Sequence, residues 1–399
     1  MTERLYYSDS RLTEFHARIV ETASGGLRVY LDRTAFYPTS GGQPFDLGTL
    51  GGVRVVEVVD EEDRIGHVLE APLGDLEAPL RGAAEVTGVI DWPRRFDHMQ
   101  QHTGQHLLSA VLEELYSMPT VSFHLGADTC TIDLGAASLA PEQAARVEER
   151  CAEIVGQARP VTVSYEDSAS VSGLRKESAR TGVLRIVSIQ ELDRSACGGT
   201  HVSSTSEIGP IFIRRIEKVR GNVRVEFVCG LRALRQARRD YDILSEIGRA
   251  LSAPFERAPA FIAASAARLK ALEKSSQRLA TELATREGRE LHASTAADSD
   301  GLRRLTQRGA IDDAMRARAQ AFIAGGGAVF LAVSDDPASV LLAASSDSGL
   351  HAGNLLKPIL TEAGGRGGGN ANLAQGSLPS AEAIDGVLAR LRAAPVLLH

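Results

Sequence analysis

Apolar and polar positions alternate with a period of two through the first part of the chain. VRVVEVVD (53–60) and HVLE (67–70) are β-branched runs, and LRVYLD (27–32) alternates into Arg33, with Gly- and Pro-containing turns between them. Residues 1–88 are therefore expected to form a small antiparallel β-barrel. From Asp91 the period lengthens. Over 94–116, Phe96, Leu107, Leu108, Val111, Leu112 and Leu115 predict an amphipathic helix that Pro119 stops. SFHLGADTCTIDLG (122–135) reads as one or two strands, and 141–158 as a helix with Pro141 at its start. VTVSYE (161–166) and GVLRIVSIQ (182–190) are strands, and 208–230 closes with a hairpin whose expected turn is Gly221-Asn222. Helices on one antiparallel sheet make residues 89–232 an α+β domain.

The helical pattern resumes at 231 and runs, with a break near Pro254, to about 290. Ile262, Leu269, Leu272, Leu279 and Leu283 share a seam with Ser265 and Ser276, which predicts a helical hairpin or weak antiparallel coiled coil over a spacer of 233–295. HASTAADSDG (292–301) reads as a linker. Residues 296–399 are expected to form an α/β domain, so the whole is an α+β multidomain protein. Its segment 351–362 is a helix followed by a glycine cluster at 364–369. No Gly-Lys-Ser/Thr follows, which excludes a nucleotide P-loop; bare amides beside Arg366 could instead cradle a phosphate.

Composition narrows the classes. With 399 residues and 43% hydrophobic content, the chain can bury several cores. No run approaches the length of a membrane span, and the first residues lack a signal-peptide core. Four scattered cysteines make a poor disulfide framework and fit a reducing cytoplasm. The net charge of −7 advertises no global nucleic-acid field. Locally, residues 211–239 hold nine Lys/Arg against two Glu, either a solvated face or a phosphate-binding surface.

Candidate chemistry concentrates in two short motifs. His102 and His106 are four residues apart on the expected helix, so both imidazoles can reach one ion. Cys197 and His201 repeat the gap roughly ninety residues later, in a Cys-Gly-Gly-Thr-His turn whose glycines let the backbone fold tightly around an ion. Either pair alone is often accidental. Together, three imidazoles and a thiolate form a tetrahedral Zn2+ set. His98 lies one further turn back, as a third ligand of that helix or as a supporting or surface residue.

These motifs carry a resemblance. HTGQHLL with CGGTH is similar to the zinc signature of the alanyl-tRNA synthetase editing domain and of free-standing alanyl-tRNA editing proteins, to which threonyl-tRNA synthetase editing domains are related. RTAFYPTSGGQPFDLGTL (33–50) resembles the family's first motif through Thr34, Phe36, Tyr37, Pro38, Ser40, Gly41, Gly42, Gln43, Pro44, Asp46 and Gly48. The C-terminal glycine cluster with Ala374-Gln375-Gly376 resembles the DHH-associated domain, although Ser377 stands where that family often has Gly.

The resemblance implies a long-form, free-standing editing protein without an aminoacylation domain. Its reaction would be hydrolysis of the ester in Ser-tRNA(Ala), and in Gly-tRNA(Ala) as a second substrate. A site made for alanine rejects serine only about a hundredfold, so a second site is needed. Thr34 would hydrogen-bond the seryl oxygen, and Gln43 would hold the ester carbonyl, the ribose or the water. Zinc at an open site would activate water or polarise the ester; with His102, His106, Cys197 and His201 all bound, it would shape the site and grip the substrate's amino group or water by expanding its shell. Arg214, Arg215, Lys218, Arg220, Arg366, Gly367 and Gly368 would contact the nucleic acid. The partner is mischarged tRNA(Ala), with no membrane, and a homodimer through the spacer or the C-terminal domain is a further expectation. Two other classes stay open: a non-catalytic tRNA-binding protein, and a deacylase with threonyl-type specificity.

Overall fold

Eight strands precede the first long helix in the computed structural model, which describes residues 1–73 and 85–393. They are β1 (Glu3–Arg4), β2 (Glu14–Ala23), β3 (Arg28–Leu31), β4 (Arg33–Thr34), β5 (Gly48–Leu50), β6 (Val53–Glu61), β7 (Arg64–Leu69) and β8 (Glu85–Ile90). Six of them pair antiparallel in the order β2-β3-β7-β6-β5-β8, and β8 returns to β2. The period of two explains the ring. In β2, Phe15, Ala17 and Ile19 point inward while Glu14, His16 and Arg18 face solvent. Part of the expected domain 1–88, residues 74–84, and the end of the expected domain 296–399, residues 394–399, lie outside the described residues.

Between β4 and β5 the chain turns at Ser40-Gly41-Gly42-Gln43. Ser40 and Gln43 exchange backbone hydrogen bonds of 3.2 and 3.0 Å, and Gly41 and Gly42 take φ of +54° and +81°. Both central residues need the left-handed region, which glycine enters freely.

The helix α1 (Trp92–Tyr116) begins at Asp91, whose side chain accepts from the Arg94 N–H, and ends at Ser117, two residues before Pro119. It is not amphipathic in the expected sense. Every residue from His98 to Leu112 is buried. Most of its polar side chains meet other polar groups of the fold, while His98 Nδ1 and Gln105 Oε1 have no hydrogen-bond partner among the described residues. The strands β9 (Thr120–Leu125) and β10 (Cys130–Leu134) follow, then α2 (Pro141–Gly156), β11 (Val161–Asp167), β12 (Val183–Ile189), β13 (Asp193–Ala196), β14 (Ile211–Val219) and β15 (Asn222–Cys229). They form a four-stranded sheet β14-β15-β10-β9 and a three-stranded sheet β11-β12-β13. Apolar residues of α1, α2 and the larger sheet share one core, including Leu108, Val111, Val147, Ile154, Val225 and Phe227.

The β14–β15 turn differs from expectation. Val219 pairs with Asn222, so Arg220 (φ +48°) and Gly221 (φ +89°) occupy the turn, not Gly221-Asn222. The helix α3 (Gly230–Leu251) runs across the division between two compact units, Met1–Glu246 and Ile247–His399.

In the second unit α4 (Ala258–Ser294) is one continuous helix of 37 residues. It includes the start of the segment expected as a linker. Ile262, Leu269, Leu272, Leu279 and Leu283 are exposed, so no antiparallel helix of the described chain covers the seam. The rest comprises β16 (Arg303–Arg308), α5 (Asp313–Ile323), β17 (Ala328–Asp335), β18 (Ala338–Ala344), α6 (Ala352–Glu362), β19 (Arg366–Gly369), β20 (Leu373–Ser377) and α7 (Glu382–Ala393). The sheet order is β16-β17-β18-β20-β19, with β16 and β17 parallel and the other pairs antiparallel. Glycines 367 and 369, expected in an open loop, belong to the edge strand β19. A Cβ there would meet the backbone of β20 at 2.6 and 2.2 Å. Among the described residues no helix is long and apolar enough to cross a membrane.

Candidate functional site

The two motifs meet. His102 and His106 project from adjacent turns of α1 toward the loop that leaves β13, which carries Cys197 and His201. One donor atom from each of the four lies within 4.8 Å of the others. Cys197 Sγ is 3.4 Å from His102 Nε2 and 3.3 Å from His201 Nε2. The loop approaches α1 this closely because residue 199 is glycine. A Cβ there would stand 2.2 Å from His102 Cε1. Gly199→Ala is therefore expected to lose metal as fully as removal of a ligand does, because the ring and the loop cannot both keep their places. Metal analysis beside far-UV circular dichroism checks this; full metal content in the variant would contradict it.

Each imidazole is held by its other nitrogen. His102 Nδ1 donates to Gln43 Oε1 at 2.9 Å, His106 Nδ1 to Asp193 Oδ2 at 2.9 Å, and His201 Nδ1 to the Thr103 hydroxyl at 3.1 Å. These bonds leave all three Nε2 atoms directed at Cys197, the tautomer that metal ligation needs. Asp193 is fixed in turn by Arg175 Nε at 2.7 Å and by the Ser195 hydroxyl. Without an ion, the same contacts set the charges of the cluster. Burial alone would raise the Cys197 thiol, but the His102 and His201 imidazoles outweigh it and hold the thiol well below its usual range. Burial would lower His106, but its bonds to Asp193 and Cys197 raise it to about 9. Burial and the neighbouring His102 lower His201 to about 3. A thiolate among buried imidazoles is a ready donor set, so these residues fit a soft-to-borderline divalent ion such as Zn2+.

His102, His106 and Cys197 of the cluster form part of the wall of an open cavity of about 730 Å³. Tyr37, Ser40, Gly41 and Gly42 line one side, Val121 and Phe123 of β9 another, and Arg175 to Arg185 a third. Neither Thr34 nor Gln43 lines it. Thr34 is fully buried; its hydroxyl donates to His67 Nε2 at 2.8 Å and accepts from the Phe36 N–H at 3.1 Å. His67 Nδ1 donates to the Val29 carbonyl, and burial lowers this histidine to about 4, so its Nε2 is the acceptor. Gln43 is fully buried behind His102, and its amide also donates to the Thr200 hydroxyl at 2.8 Å. His98 is buried outside the four-donor cluster, with no hydrogen-bond partner at Nδ1 among the described residues.

The expected nucleic-acid cations are placed differently again. Arg214 pairs with Asp240 at 2.5 Å and Arg215 with Glu217 at 2.6 Å, while Lys218 and Arg220 are exposed near the β14–β15 turn. Arg224 and Arg232 of the same basic stretch pair with Asp133 and Asp97, which reduces its field. Arg366, Gly367 and Gly368 are exposed on β19 in the second unit. Sequence reasoning missed Asp193, Thr103 and Arg175. Only Asp193, four residues before Cys197, offered a signal: an acidic residue beside a suspected ligand loop is a common orienting partner.

Known proteins agree with this layout. The family described as threonyl and alanyl tRNA synthetase second additional domain matches residues 184–226, and the DHHA1 domain matches residues 306–394. The alanyl-tRNA editing protein AlaX-L of Pyrococcus horikoshii is 32% identical over 98% of this chain and 99% of its own length. An alanine–tRNA ligase of Pyrococcus abyssi is 30% identical over 97% of this chain and 43% of the ligase. The alanyl-tRNA editing protein Aarsd1 of Bos taurus is 35% identical over 55% of this chain and 49% of its own length. The chain thus spans under half of the latter two relatives.

Proposed function

The chain belongs to the alanyl-tRNA editing family, and from that membership we propose that it hydrolyses the ester linking a wrong amino acid to tRNA(Ala), chiefly serine and secondarily glycine. The observation that carries this is the four-donor cluster on the wall of an open cavity. We assign Zn2+ to the cluster, with His102, His106, Cys197 and His201 as its ligands. When bound, the ion supplies Lewis acidity next to the substrate's ester. The chain's own residues do the rest. Gln43, Asp193 and Thr103 hold the three imidazoles in one tautomer and orientation, and the cavity admits the aminoacyl end and the water that cleaves it. Gln43 thus acts through His102. The β14 cations and Arg366 would contact the tRNA body. The exposed leucines of α4 support self-association through the spacer, and sedimentation showing only monomer at micromolar concentration would end that assignment.

Specificity is tested by comparing release of amino acid from Ser-, Gly- and Ala-tRNA(Ala) and from Ser-tRNA(Thr). Preference for Ser-tRNA(Ala) is the expected result; preference for Ser-tRNA(Thr) would favour threonyl-type editing. Thr34→Val separates two roles. With the hydroxyl engaged by His67, we expect a stability loss of about 1–3 kcal/mol from the unpaired imidazole, and equal losses on seryl and glycyl substrates. A selective loss on Ser-tRNA(Ala) at unchanged stability would instead put Thr34 in contact with the seryl oxygen.

A further inference from the structure

Large apolar side chains at the surface need a reason when they gather at one place. Val121, Phe123, Tyr165 and Val183 are 50, 38, 55 and 72% exposed, and all four line the cavity. They come from separate segments, β9, β11 and the start of β12, so no single strand's pattern accounts for them. Phe123 lies with its ring centroid 6.0 Å from that of His102, which joins this rim to the metal ligands. The same wall is basic: Arg175, Lys176, Arg180 and Arg185 line the cavity against one carboxylate, Glu177. Two of these cations serve the fold. Arg175 holds Asp193, and Arg185 donates to the carbonyls of Cys197 and Gly199. Among the described residues Lys176 reaches only the Val121 carbonyl, at 3.4 Å, and both Lys176 and Arg180 are exposed.

Exposed aromatic faces interleaved with cations are the chemistry that binds single-stranded nucleic acid: bases stack on the rings and phosphates meet the cations. Resting on the functional reading above, we propose that Phe123, Tyr165, Lys176 and Arg180 form the surface on which the unpaired 3′ end of the aminoacylated tRNA is laid as its ester reaches the cluster. The 168–182 segment that carries the cations is pinned to the metal site. The Arg175 N–H donates to the Arg194 carbonyl at 2.8 Å, and its side chain holds the partner of His106. The surface and the ligands therefore keep a fixed spacing. The basic 211–239 stretch, where Arg214, Arg215, Arg224 and Arg232 are paired with acids, is left for contacts farther from the ester.

The test uses the full chain, with metal content measured in every preparation. Lys176→Gln/Arg180→Gln should keep its metal and its kcat within about twofold, raise KM for Ser-tRNA(Ala), and reduce the salt slope of tRNA binding by about 1.4, the share of two single-strand phosphate contacts. Tyr165→Leu should raise KM by about fivefold or more, the loss of one stacked base, with little change in salt slope. A short single-stranded RNA with the tRNA 3′ sequence should compete with substrate for the wild type and not for the charge variant. Unchanged KM, salt slope and competition in these variants, with deacylation intact in the wild type, would overturn the entry surface alone. A wild type that holds its metal and deacylates nothing would overturn the functional reading instead.

Discussion

Asp46→Ala is expected to be among the most destabilising single substitutions in the chain, at about 3–5 kcal/mol. Arg95 and Asp46 are both fully buried and form an ion pair. Arg95 Nε lies 3.0 Å from each Asp46 oxygen, and the guanidinium also donates to the carbonyls of Ser10 at 2.9 Å and Ala35 at 2.5 Å. The Tyr37 N–H donates to Asp46 at 2.6 Å. Removing the carboxylate strands a guanidinium and an amide away from water. The damage reaches the site, because this pair clamps the segment that carries Gln43 onto α1, which carries His102. Chemical denaturation should show the loss. The Asp46→Ala/Arg95→Met double variant should recover part of it, since no charge then remains buried without its partner. A double variant as weak as the single one would show that shape, not charge, holds this joint.

The second large effect concerns the metal. Cys197→Ala or His106→Ala should each reduce bound metal from about one per chain to nearly none, because the three remaining donors would hold an ion far less tightly. Asp193→Asn should act more mildly. It keeps an acceptor for the His106 Nδ1–H but removes the charge that raises this imidazole, and partners of this kind typically change metal affinity about 10–100-fold. A ligand variant that kept its full metal would mean that the ion sits elsewhere.

How far could these features be read from the chain alone? The four clustered donors were legible because two four-residue gaps state their own geometry: one on a helix, one in a glycine turn. Of the ring strands, β3, β6 and β7 were legible through alternation and β-branched runs, whereas β2 was not singled out. The partners of the imidazoles were not, since Asp193 meets His106 across 87 residues and Thr103 meets His201 across 98, and no local period encodes such a meeting. Thr34 looked like a reactive-site hydroxyl because it belongs to the same motif as Gln43, yet its partner is His67, brought in by the pairing of β3 with β7. The charge count over 211–239 suggested a strong positive field, but Asp97, Asp133 and Asp240 lie outside that window and reach in through the fold. The spacer's leucine seam is real, yet it faces solvent on one long helix, because a seam does not say which helix will cover it. The polar strand β16 escaped notice because four of its six residues are Arg or Gln and its place in the sheet comes from pairing with β17.

The central claim is that ester hydrolysis on mischarged tRNA(Ala) takes place at the His102–His106–Cys197–His201 cluster. It is tested most directly by following serine release from Ser-tRNA(Ala) with one preparation in three states: as purified, after removal of metal by a chelator, and after one equivalent of Zn2+ is returned. The expected result is hydrolysis that vanishes with the metal and returns in proportion to the zinc bound, with Ala-tRNA(Ala) spared throughout. Undiminished serine release from metal-free, folded protein would contradict it.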